Sequence, residues 1–88
     1  MGTQLTKREL QNLEVGQIIT EKLFNETYHQ EVVKIDDNKD IVYHLVEINS
    51  KKRSKLTVGE NFNKEGDRKY KSPNGSVIVK YYKYEQSN

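Results

Sequence analysis

Arg68-Lys69-Tyr70-Lys71-Ser72-Pro73-Asn74-Gly75-Ser76-Val77-Ile78-Val79-Lys80-Tyr81-Tyr82-Lys83-Tyr84 reads as a strand, a tight turn and a longer strand. Pro73 pre-sets its own φ, and Gly75 is free to adopt the positive φ that such a turn needs. Beyond the turn, side chains at alternate positions fall on opposite faces. Val77, Val79 and Tyr81 therefore belong to a core face. Lys80, Tyr82 and Tyr84 share the other face with Ile78.

Two more strand pairs precede this hairpin. Tyr28 to Ile35 carries Val32, Val33 and Ile35, and Ile41 to Ile48 carries Val42, Tyr43, Leu45 and Val46; the polar run Asp36-Asp37-Asn38-Lys39-Asp40 turns between them. Asn49 to Arg53 is a second polar turn leading to Lys55 to Val58, with Gly59 to Asn63 less regular around Phe62. Ile18, Ile19, Leu23 and Phe24 mark a first strand that ends at Asn25-Glu26.

Upstream, Thr6-Lys7-Arg8-Glu9 is a capping box, flanked by Leu5 and Leu10 at the staple positions and by Leu13 one turn on. The pattern predicts a helix over about 6–15 that Gly16 terminates. So short a helix needs a partner surface and is expected to plug an open end of the sheet. The fold class that follows is mainly β: a small antiparallel curled sheet, or an SH3-like or OB-like barrel, of five to six strands with one short N-terminal helix. The turn at Val15-Gly16-Gln17 and the strand end Val32-Val33-Lys34-Ile35-Asp36 are similar to those of many small SH3-like barrels.

The 88 residues fit a single domain, with the β region over about 17–84 and a disordered tail at 85–88. Apolar residues make up 33% and charged residues 32%, so almost every Ile, Leu, Val and aromatic ring has to be buried. Cysteine is absent, which excludes disulfides and thiolate chemistry and suits a cytoplasmic protein. No stretch has signal-peptide or membrane-spanning character. Met1-Gly2 with Thr6 matches the loose myristoylation pattern, and Asn25-Glu26-Thr27 and Asn74-Gly75-Ser76 the glycosylation pattern, all as chance matches.

Catalytic and metal signatures are weak. Asp36, Asn38, Asp40 and Glu47 occupy four ligand positions of a calcium-binding EF-hand loop, but Ile41 stands where its glycine is required, and strands flank the segment. His29 and His44 are the only histidines, with Glu31 the one nearby third ligand. Pairing Ile35 with Ile41 would set His29 against Glu47 and His44 on the opposite face; a one-residue slip would bring both histidines to one face. Walker A and nucleophile-elbow sequences are absent. The chain is read as a non-enzymatic binding protein with no cofactor and no metal.

Charge is distributed unevenly. Residues 1 to 50 hold five Lys or Arg against nine Asp or Glu, and residues 51 to 88 hold ten against four, giving halves of about −4 and +6. Lys51, Lys52, Arg53 and Lys55 form one basic cluster, Arg68, Lys69 and Lys71 with Tyr70 a second, and Lys80, Tyr82 and Lys83 a third. Cations interleaved with aromatic rings suit single-stranded DNA or RNA, where they neutralise phosphates and stack on bases. Lysine outnumbers arginine twelve to three, which favours weak, salt-sensitive contact over bidentate base recognition. The alternative is a small inhibitor or adaptor of the kind phages and mobile elements direct against a host enzyme or defence protein. It would use the same hairpins or the acidic Asp36 to Asp40 turn.

Overall fold

Thr6 sets the first element. Its Oγ1 accepts from the Glu9 amide at 3.2 Å, and Glu9 Oε1 accepts from the Thr6 amide at 3.0 Å, the reciprocal box expected. In this computed structural model, which describes residues 3–37 and 40–84, the helix so begun is a single turn, α1 (Lys7–Leu10). The longer helix over 6–15 does not form, and the core supplies the reason. Asn12 N takes the Glu9 carbonyl at 3.1 Å, and the Leu13 amide donates to the hydroxyl of Tyr43 at 3.2 Å. Gly16, at φ +94, ends no helix; its amide donates to the Val32 carbonyl at 2.7 Å. The tail at 85–88 lies outside the described residues.

Six antiparallel strands follow: β1 (Ile18–Leu23), β2 (Glu26–Asp37), β3 (Ile41–Glu47), β4 (Arg53–Val58), β5 (Arg68–Ser72) and β6 (Gly75–Lys83). Their order across the sheet is β4-β3-β2-β1-β6-β5, so a four-stranded meander is extended by the C-terminal hairpin on the far side of β1. The sheet curls into a half-barrel whose edges are β4 and β5. Ser72 pairs with Gly75 at φ +127, which places the tight turn at Pro73-Asn74 as the sequence predicts. Where β5 runs out, the N-terminal segment continues along β6: Leu5 N donates to Tyr81 O at 2.8 Å and Lys83 N to Thr3 O at 2.9 Å.

The β2–β3 pairing over Gln30–Val32 is the one-residue slip from an Ile35–Ile41 register, which puts His29 and His44 on one face, and beyond Val33 it shifts by one residue more. Ile35 faces Tyr43 and Lys34 faces His44, whereas Val32 faces Leu45 and Gln30 faces Glu47. The shift between Val32 and Lys34 is a bulge at Val33, which leaves that side chain 40% exposed despite its place in an apolar run. Phe24 also departs from its expected place in β1. Leu23 pairs with Glu26, so Phe24 is in the two-residue turn, at φ 54 and 80% exposed.

The concave face has two unlike ends. At one, Ile19, Val32, Tyr43, Leu45, Leu56, Val58, Val79 and Tyr81 pack with Leu5, Leu10, Leu13 and Phe62, so the helix and its flanks close that end as a plug. The Phe62 and Tyr81 rings meet at 5.9 Å between centroids. At the other end the same face turns polar, with Tyr28, Gln30, Glu47 and Ser54. The plug depends on Gly66, which is buried at φ +94 and where a Cβ would lie 1.9 Å from the Leu5 carbonyl oxygen. Gly66→Ala is therefore expected to lower unfolding free energy by more than about 1 kcal/mol, with N-terminal amide protection lost first, as read by denaturant titration and hydrogen exchange.

Candidate nucleic-acid interface

Cross-strand partners lie on one face of a sheet, so the register assigns every strand side chain to the concave or the outer face. Tyr43, Leu45 and Glu47 are buried and define the concave side of β3; Val42, His44 and Val46 are half-buried and define its outer side. Arg53 and Lys55 of β4 pair with Val46 and His44, and Lys34 of β2 pairs with His44. On β1, Thr20 pairs with both His29 and Tyr82, and Lys22 pairs with Lys80. Lys69 pairs with Ile78 and Lys71 with Ser76. All of these share the outer face.

The basic clusters read from sequence divide accordingly. Arg53, Lys55, Lys69, Lys71, Lys80 and Tyr82 all take the outer face, with Arg53 and Lys55 on one edge strand and Lys69 and Lys71 on the other, at opposite margins. Arg68 and Tyr70 alternate onto the concave parity, where the Arg68 guanidinium lies 5.6 Å from the Tyr70 ring centroid. Lys51 and Lys52 sit in the β3–β4 turn, and Lys83 is exposed at the end of β6. Lys51 itself holds φ 61, its amide donating to the Glu47 carbonyl at 2.9 Å.

Lys22, Lys34, His29 and His44 join this face although none was a sequence candidate for it. Lys22 Nζ lies 5.1 Å from the centre of the Tyr82 ring. Beside it, His29 meets the Tyr84 ring edge-on at 5.1 Å, with its Nδ1 2.9 Å from Thr20 Oγ1. His29 and Tyr82 thus flank the buried Thr20 from the two neighbouring strands, and Tyr84 packs on His29. Strand periodicity alone would have joined Lys22 to this face. The bulge at Val33 hid Lys34.

Two carboxylates, Glu31 and Asp36, lie on the same face as these cations, whereas Glu21, Glu26 and Glu47 take the concave parity. Asp36 is already engaged: Nε2–H of His44 donates to its Oδ2 at 2.6 Å, and Lys34 Nζ is 3.8 Å from Oδ1. Lys80 leans toward Asp67, 3.9 Å away. Each histidine has a separate partner, and among the described residues no three His, Asp or Glu side chains converge in a metal-binding group. Nor does any helix of the described residues have the length and apolar character to cross a membrane.

No family model, no curated protein and no solved structure matches the chain.

The His44 hydrogen bond holds the Asp36 carboxyl below its ordinary range, and the turn amide of Ser50 does the same for Glu47. A carboxyl depressed in the folded state contributes stability above its unfolded pKa and loses it as pH falls through the folded value. Melting temperature is therefore expected to drop as pH is lowered below about 4. Asp36→Asn should flatten part of that slope while leaving the neutral-pH fold unchanged by circular dichroism.

Proposed function

We propose that the protein is a non-enzymatic binding module that takes single-stranded DNA or RNA weakly along the outer face of its sheet. The observation that carries this reading is the sorting of charge by register. Seven cations, Lys22 and Lys34 with Arg53, Lys55, Lys69, Lys71 and Lys80, share the outer face with two carboxylates, around an aromatic group of His29, Tyr82 and Tyr84. Six strands at about 4.8 Å spacing give that face a width of roughly 24 Å, enough for several nucleotides to cross it. Lysine heads on such a face supply sequence-independent phosphate attraction, and tyrosine and histidine rings supply sequence-tolerant stacking. The absence of cysteine suits action in the reducing cytoplasm.

A second reading, docking on a protein, is favoured by Phe24. A bulky residue at positive φ is strained, and here the strained ring also stands in solvent at a hairpin tip. Glycine suits that backbone better, so Phe24→Gly is expected to raise stability by about 1 kcal/mol. If the ring anchors a protein partner, co-purification from the native host should be lost in this variant although its fold is firmer. Retention of that partner would remove the second reading.

Fluorescence anisotropy with labelled oligo-dT, oligo-U and duplex, at low and at physiological salt, tests the first. Single strands are expected to bind more tightly than duplex, with a log–log salt slope of about −3 for four or five neutralised phosphates. Joint Lys22→Glu and Lys55→Glu substitution should weaken binding by about tenfold or more, whereas Lys64→Glu, off this face, should leave it unchanged. No binding at low salt would overturn the proposal.

A further inference from the structure

The polar end of the half-barrel encloses a cleft of about 280 Å³, lined from all six strands. Gln30 stands on this lining and is only 7% exposed. Its Nε2 donates to Ser54 Oγ at 3.3 Å, while its buried Oε1 has no hydrogen-bond partner. Exchanging the two ends of the amide would only move the unspent group to the nitrogen, since the Ser54 hydroxyl can donate as well as accept. A buried amide with one end unspent lowers stability, so its presence on the lining of a cleft calls for a reason.

The charged groups around it narrow the choice of ligand. Glu21 accepts from the Tyr81 hydroxyl at 2.8 Å, and Glu47 accepts from the Ser50 amide, so both carboxylates are engaged within the fold. Lys52, Lys55 and Arg68 line the same cleft as Gln30. A fitting ligand therefore presents a neutral hydrogen-bonding edge to the amide and an anion to these cations. We propose that the concave cleft binds a nucleoside monophosphate, with the base edge on Gln30 and the phosphate toward Lys52 and Arg68. Glutamine suits a base because its donor and acceptor lie side by side, as they do on base edges. The volume suits one nucleotide rather than a larger ligand. This site lies on the concave side of the sheet and shares with the basic surface Lys55, on the edge strand β4.

Titration of isotope-labelled protein with the common ribonucleoside monophosphates, followed by NMR, tests the assignment. Ribose 5-phosphate serves as the control without a base, and the nucleosides as controls without phosphate. Shifts are expected at the Gln30 side-chain amide, Ser54 and Arg68, and both controls should bind about tenfold more weakly or worse. Gln30→Met keeps the length of the side chain and removes the unspent amide. It should melt at an equal or higher temperature, bind the monophosphates no better than ribose 5-phosphate, and leave oligonucleotide affinity at the outer face unchanged. Lys52→Gln, in an exposed turn, should weaken the monophosphates and not the nucleosides. The proposal is overturned if millimolar monophosphate moves no cleft resonance, if ribose 5-phosphate binds as well as the nucleotides, or if Gln30→Met binds them like the parent protein.

Discussion

One extra residue in β2 decides the face of every side chain after it. Tyr28, Gln30 and Val32 alternate onto the concave side, and unbroken alternation would carry Lys34 and Asp36 inward next while turning Ile35 out to water. The bulge at Val33 resets the count, so Ile35 packs against the core and Lys34 and Asp36 meet His44 outside. The neighbouring chain supports the break: Gly16 donates to the Val32 carbonyl, and the Val32 amide donates to the Gln17 carbonyl at 2.9 Å. Val33 itself is left half in solvent. That exposure is the cost of keeping two apolar residues, three apart in sequence, on one buried face.

A second constraint acts at the plugged end. A helix of one turn has almost no stability alone, so its position comes from what holds its ends. Leu5 bonds to β6, the Leu13 amide reaches the Tyr43 hydroxyl, and the Lys7 amide donates to the Lys64 carbonyl at 3.2 Å. The buried hydroxyl of Tyr43 would be costly without a partner. The bond from the Leu13 amide to that hydroxyl diverts the amide from a helical partner and holds Leu13 against the core. The leucines that suggested a longer amphipathic helix are buried as that pattern implies, by a chain path that is mostly irregular.

Local chemistry was legible in the sequence wherever it was self-contained. The capping box at Thr6, the Pro73-Asn74 turn and the alternation of Val77, Val79 and Tyr81 against Ile78, Lys80 and Tyr82 all need only residues within one segment, and the structure has each of them. Features set by partners distant in sequence were not legible. Nothing near Val33 signals a bulge, because the bulge is decided by which β3 residues Val32 and Ile35 must join. Phe24 looked like strand because it is apolar, but the Leu23–Glu26 pairing puts it in the turn. The basic clusters were visible as composition, whereas their division between two faces, and the addition of Lys22 and Lys34, required the register.

The two surfaces are linked by how little apolar material the chain has. A closed barrel of six strands needs inward-facing apolar side chains along the length of each strand. Here they fill one end, and the inward positions at the other end are Tyr28, Gln30, Glu47 and Ser54. Glu47 is 9% exposed and survives burial because it closes the β3–β4 turn by accepting from the Ser50 amide. Most strand carboxylates face inward, where backbone and tyrosine donors satisfy them, and most strand cations face outward, because long lysine side chains reach water at little cost. The basic exterior and the polar cleft are thus two results of one sorting. A chain richer in apolar residues could have closed its barrel and would have had no cleft for Gln30 to line.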